Sequence, residues 1–215
     1  MLVTLLQATP PETQVSQIAA AMCVGQEDNP SNKNLEAALA SGHLSILEHI
    51  YFTFKIEGVS RALSHQLVRH RIASYSQQSQ RYCKMPMMNR WFIVPETINQ
   101  NPKVLDRYLN TLRHITDFYN YAIEQNIPKE DARSILPNAC KTNLVMSVNA
   151  RAFIEQCTLR LCSRAQWEIR DLYAHMRDCI KDIHPYVYEL AVPNCAKKGC
   201  TEAKPCKYPW RKTDD

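Results

Sequence analysis

The chain has 215 residues, 45% of them apolar and 22% charged, with a net charge of +5. That balance suits one medium globular domain with a real core and argues against disordered, fibrous or membrane-spanning classes. Four glycines do not form a glycine-rich dinucleotide fingerprint, the N-terminal MLVTLLQATPPETQ lacks the basic start and long apolar run of a signal peptide, and no segment approaches the ~20 apolar residues of a membrane span, so a cytoplasmic protein is expected.

In chain order, residues 2–6 (LVTLL) read as a short strand. Residues 12–23 place Val15, Ile18, Ala19 and Met22 at helical spacing, and residues 34–41 form a second helix stopped by Gly42. Residues 49–57 alternate: Ile50, Phe52, Phe54 and Ile56 on one face, Tyr51, Thr53, Lys55 and Glu57 on the other, the pattern of a half-buried strand. Residues 60–71 turn helical, with Leu63 and Leu67 one turn apart, and RWFIV at 90–94 suggests a further strand. Asn101-Pro102 is a cap followed by a first-turn proline, opening a long helix through Val104, Leu105, Tyr108, Leu112, Ile115 and Tyr119. Pro128 opens a shorter helix, 128–136. Helices are expected again at 148–160 and 164–183, the last ended by His184-Pro185. The expected architecture is α+β, mostly helical with a small sheet: a single domain over 1–192 and a loose Cys-, Lys- and Pro-rich tail over 193–215.

Charge is unevenly placed. Residues 61–90 hold Arg61, Arg69, Arg71, Arg81, Lys84 and Arg90 and no acid, so this window carries +6 and predicts an anionic ligand. Gln66, Arg69, His70 and Ala73, at i, i+3, i+4 and i+7, are expected on one helix face. The polar row that follows, ending in Gln77-Gln78-Ser79-Gln80-Arg81, would lie beside it if the chain folds back. Arg donates two parallel hydrogen bonds to phosphate, and Ser and Gln both donate to and accept from the edges of a ring. The bland alternative is a solvated basic helix followed by a polar loop.

A second stretch, residues 147–170, has an apolar stripe of Phe153, Cys157 and Leu161. Arg151 is spaced to pair with Glu155, and Arg164 with Glu168, while Arg160 has no acid one turn away in either direction. His43 and His49, with Glu48 beside them, fit no common zinc spacing. Nine cysteines in a cytosolic chain suggest thiols rather than disulfides. In the tail Cys195, Cys200 and Cys206 are spaced C-x4-C-x5-C. They could supply three zinc ligands, but no CxxC pair occurs and no metal is assigned.

Arg69-His70-Arg71, seven residues, then Ser79 resembles the signature motif of the flavin-dependent thymidylate synthases. SGHLSILEHIYFTFKI, DARSILP at 131–137, and VNARAFIEQCTLR followed by AQWEIR resemble further blocks of that family, so the likeness spans residues 35–170. It implies a homotetramer with an α+β core around a small central antiparallel sheet and with active sites where chains meet. It also implies conversion of dUMP to dTMP, with methylenetetrahydrofolate as carbon donor and NADPH-reduced FAD as hydride source, without an enzyme nucleophile. By the same resemblance Arg69, His70, Arg71, Asn149, Ala150, Arg151, Ser45 and Glu155 contact FAD, as does Gln77. Gln66, Leu67, Val68 and Arg69 form one wall of the dUMP site, with Gln77, Gln78, Ser79, Gln80 and Arg81 from a neighbouring chain as the other. Arg133 is a further dUMP contact, His43 lies near flavin and folate, and Arg160 is the residue that helps ionise the uracil ring. The chain departs from the family at Gln77, where Glu is frequent, and at Ser76 and Glu155, where Asn is frequent. A basic nucleic-acid-binding module would also suit the +6 window, but the chain lacks a second basic region and the interleaved aromatics of a base-stacking surface are few. A small metal protein built on the tail is the remaining alternative.

Overall fold

The structure, a computed structural model, describes residues 1–26, 28–85, 91–207 and 210, and of Glu12 the backbone only. Four strands form one antiparallel sheet in the order β1-β2-β4-β3: β1 Leu2–Ala8, β2 Tyr51–Ser60, β3 Ser74–Gln77 and β4 Lys141–Asn149. The helices are α1 Val15–Met22, α2 Asn32–Ala40, α3 Arg61–Leu67, α4 Glu96–Asn99, α5 Pro102–Glu124, α6 Lys129–Ala132, α7 Ala150–Arg160, α8 Trp167–Asp178, α9 Pro185–Leu190 and α10 Asn194–Lys197. None of the described helices is long and apolar enough to cross a membrane. The α+β class expected from the sequence is the class observed.

The chain divides into two compact units. One comprises Met1–Ile56, Val68–Tyr75 and Val145–Asp215, the other Glu57–Leu67 and Ser76–Leu144. The first has an aromatic centre. Phe52 and Phe54 of β2 lie 5.9 Å from Phe153 of α7, whose ring stacks at 6.2 Å on Tyr173 of α8. All four are fully buried. Such pairs add roughly 0.5–1.5 kcal/mol each beyond area burial. The second unit packs Tyr119 and Ala122 of α5 on Met85 and Ala132, and Leu112 on Phe92 and Cys140.

Caps explain several helix starts. The Asn101 side chain accepts from Val104 N–H at 3.3 Å ahead of Pro102, Asn149 accepts from Ala152 N–H at 2.8 Å, and Gln166 accepts from Ile169 N–H at 3.1 Å. After α2 the chain reverses through Gly42 at φ 76°, the left-handed region that glycine enters most readily.

Five local expectations are corrected. The helix expected to reach residue 71 ends at Leu67, so Gln66, Arg69, His70 and Ala73 do not share a helix face. The His70 carbonyl accepts instead from Tyr75 Oη at 3.0 Å, five residues on, in the turn that follows α3. Residues 91–94 form only a single bridge, Phe92 to Cys140, with Pro95 close behind; Arg90 lies outside the described residues. Strand β4 precedes α7 where the sequence reading begins a helix, and its buried Thr142, Leu144, Met146 and Val148 alternate with half-buried positions. In α1 the buried positions are Ser16, Ala20 and Ala21, while Ile18 and Met22 of the apolar stripe are 42% and 59% exposed. Finally, α8 stops at Asp178, and Pro185 opens α9 at its first position.

Candidate active site

The first unit builds a corner from the turn after α3. Arg160, at the last turn of α7, donates from Nε to His70 Nε2 at 2.8 Å. Accepting at Nε2 makes the imidazole neutral, with its proton on Nδ1. Burial first, and the Arg160 charge second, lower the His70 pKa from the usual 6.5 to about 4. The ring also meets Tyr173 edge-on at 6.1 Å, which connects it to the aromatic core. Tyr75, pushed up to about 12 by burial, fixes the same turn through the His70 carbonyl.

Arg69, His70 and Arg71 line a cleft of about 300 Å³ together with Ala152, Glu155 and Gln156 of α7. Gln156 Oε1 accepts from buried Tyr173 Oη at 2.8 Å, so the floor is hydrogen-bonded. Arg69 and Arg71 are exposed, and among the described residues neither has a hydrogen-bond or ion-pair partner. Two uncompensated guanidiniums at the rim of a cleft suit an anion such as a diphosphate.

Arg151 is differently placed. Its guanidinium pairs with Glu48 at 2.6 Å and with Glu155 at 3.3 Å, as the i, i+4 spacing predicts for the second. The Asn149 carbonyl oxygen is engaged in the α7 cap, and Ala150 is buried with its N–H donated to the Ile50 carbonyl at 2.8 Å. His43 and Ser45 line a different cleft, of about 400 Å³, with residues of α1 and α2. Arg164 pairs with Glu202 at 3.6 Å rather than with the expected Glu168, which is buried at the start of α8.

The second unit holds the polar row. Gln77 Nε2 donates to Ser64 Oγ at 2.9 Å and to Thr142 Oγ1 at 3.2 Å. Gln78 is pinned by its N–H to the Asn143 carbonyl at 2.9 Å, and its buried Oε1 has no partner among the described residues. Ser79 Oγ accepts from Arg81 N–H at 3.2 Å. Arg81 pairs with Glu130 at 2.8 Å, and Arg133 donates to the Glu130 carbonyl at 3.2 Å. Gln80 is half-buried. Leu67 is a core residue, Val68 of the first unit is exposed, and Gln66 bonds back to Ala62 at 3.3 Å. Arg61 lies close enough to Arg133 for its pKa to be lowered, chiefly by burial and then by that neighbour.

Sequence reasoning missed Tyr75, Glu130 and Gln156, the pairing of Glu48 with Arg151, and the closeness of Arg61 to Arg133. Tyr75 and Arg61 lie inside the acid-free window and carried a signal. The partners of Arg151 and Arg81 are distant in sequence and carried none.

The profile of the family described as "Thymidylate synthase complementing protein" matches residues 4–186. Among curated relatives, "Flavin-dependent thymidylate synthase" of Geobacter sulfurreducens is 40% identical over 212 residues, covering 94% of this chain and 91% of that protein. The chain belongs to the flavin-dependent thymidylate synthase family. The protein of the same name from Clostridium tetani is 38% identical, with 93% and 90% covered. Thymidylate synthase X of Helicobacter pylori, solved with FAD and dUMP, superposes with a TM-score of 0.73 at 29% identity, covering 89% of this chain and 99% of that one. The family profile ends before the tail, as did the resemblance read from sequence.

Proposed function

We propose that the chain converts dUMP to dTMP, using methylenetetrahydrofolate as carbon donor and FAD, reduced by NADPH, as hydride source. The observation that carries this reading is the Arg69-His70-Arg71 corner. Two guanidiniums without a partner among the described residues rim a cleft in which Arg160 holds a neutral imidazole, a donor set that fits the anionic diphosphate of FAD. When bound, FAD supplies the hydride-transfer chemistry.

Arg69 and Arg71 take the anion, and His70 keeps an Nδ1–H to offer. Arg151 joins them by exchanging Glu48 or Glu155 for the cofactor. Arg160 stabilises negative charge as it develops on the pyrimidine. Gln66 to Arg69 line one side of the nucleotide, while Gln77 to Arg81 of a neighbouring chain, with Arg133, line the other. The buried Gln78 Oε1 supplies an acceptor for a ring N–H. Ser79 positions the nucleotide rather than attacking it, since no base is hydrogen-bonded to its hydroxyl among the described residues. His43 and Ser45 serve the flavin and folate from their own cleft. Assembly as a homotetramer is supported by the large apolar side chains that α5 leaves exposed, among them Phe118 and Tyr121.

The test is direct. FAD-loaded protein is mixed with dUMP, methylenetetrahydrofolate and NADPH, and the products are separated by chromatography. dTMP is expected; its absence with intact flavin absorbance would sink the reading.

A further inference from the structure

The floor of the Arg69-His70-Arg71 cleft carries a side chain with one end fixed and the other open. Gln156 sits in α7, only 4% exposed, one turn after the buried Ala152 and one turn before Arg160, so the three share a helix face. Its Oε1 accepts from Tyr173 Oη at 2.8 Å. Tyr173 is held in place, because its ring stacks on Phe153 at 6.2 Å and meets His70 edge-on at 6.1 Å. Burial raises its pKa well above the ordinary tyrosine range, so the hydroxyl keeps its proton and stays a donor.

A carboxamide is planar, with its oxygen and nitrogen on opposite sides. Once Tyr173 claims the oxygen, the nitrogen must face the other way. Among the described residues Gln156 Nε2 has no hydrogen-bond partner, and Gln156 lines the cleft beside the small Ala152. We propose that Gln156 is a further cofactor-binding residue: it donates an amide N–H from the cleft floor to a phosphate oxygen of the anion that Arg69 and Arg71 hold at the rim, on the reading given above that this anion is the diphosphate of FAD.

The chemistry of the lining agrees. A phosphate oxygen turned toward the floor leaves water on binding and needs a donor there. A neutral amide supplies one without burying another charge, which a floor lysine or arginine would require. Glu155, the one acid in the lining among the described residues, is exposed and paired with Arg151 at 3.3 Å, so its charge is partly met. Tyr173 also fixes the Gln156 rotamer before any ligand arrives, which lowers the ordering cost of the contact.

A role confined to satisfying the Tyr173 hydroxyl predicts different variant behaviour. The flavin-free full chain is titrated with FAD and, separately, with riboflavin, which carries no phosphate, and its thermal midpoint is recorded. Gln156→Met should weaken FAD about tenfold or more, the scale of a hydrogen bond to a charged group, and leave riboflavin unaltered. Gln156→Glu keeps an oxygen for Tyr173 but sets a carboxylate where the donor was, so FAD should weaken further although the Tyr173 bond survives. Unaltered FAD affinity in either variant, or riboflavin weakened as much as FAD, would overturn the proposal. Where Gln156→Met melts too low to titrate, Gln156→Glu decides alone. A wild type that binds FAD and makes dTMP, beside variants that bind FAD equally well, would remove Gln156 only; a wild type that takes up no FAD would remove the proposed function with it.

Discussion

The two halves of RHRIASYSQQSQRY are wired in opposite ways. At Arg69-His70-Arg71 the two arginine charges have no partner among the described residues, and the turn is held by other groups: Tyr75 on the backbone, Arg160 on the imidazole, Tyr173 against its ring. In the row from Gln77 to Arg81 the functional groups are turned onto one another or onto the fold. Gln77 is bound to Ser64 and Thr142, Ser79 to Arg81, and Arg81 to Glu130. An open guanidinium attracts an anion with its full field, while a paired one must first exchange its carboxylate. On the proposed function the first region is therefore preset for its ligand, and the second is set by its ligand.

The largest effect should come from removing the group that anchors the preset region. Arg160→Ala should bind FAD, with flavin absorbance retained, but lose dTMP formation by roughly 10²–10³-fold, the scale of one lost electrostatic stabiliser. Unchanged turnover would remove Arg160 from the chemistry. Next, Arg69→Ala or Arg71→Ala should each weaken FAD about tenfold or more, on the scale of a charge-assisted hydrogen bond. Flavin titration by fluorescence checks this, and unaltered affinity in both would show that the open charges are ordinary solvated surface. In the second region the expected sign is reversed. Glu130→Gln releases Arg81 and should tighten dUMP by a few-fold at most, because exposed pairs are worth about 0–1 kcal/mol. Calorimetry showing weaker dUMP binding would mean that Glu130 itself contacts the nucleotide.

Much of this was legible in the sequence, for identifiable reasons. Strand β2, the long α5 with its Asn101-Pro102 start, and the Phe153–Cys157–Leu161 stripe follow from local period and capping. The acid-free window covers both halves of the proposed site, which the resemblance assigns to flavin and nucleotide. Other expectations failed. Helix α3 ends at Leu67 and the His70 carbonyl beyond it accepts from Tyr75, and β4 was hidden because its alternation runs directly into the helix that follows. Arg160 looks like a solvated helix arginine until His70, 90 residues away, is seen beside it.

The smallest predicted effect tests the wiring of the first region through pH. His70 titrates near 6.5 in an unfolded chain and near 4 in the fold. Between these values the unfolded state binds the proton and the folded state does not, so unfolding takes up protons and stability rises with pH. The contribution is complete above about pH 6.5, declines as pH falls toward 4, and levels off below. Because the ring is only half-buried, solvent screening keeps the effect modest. Urea midpoints at about pH 7.5 and 5 should therefore differ more in the wild type than in His70→Asn, which keeps a polar side chain but cannot titrate. Arg160→Ala should raise the folded pKa part of the way back, because burial is the larger cause and remains. An equal acid-induced loss in wild type and His70→Asn would show that His70 is not held neutral by the fold. The contrast between the two regions would then lose its physical basis, since the Ser and Gln side chains of the other row do not titrate in this range.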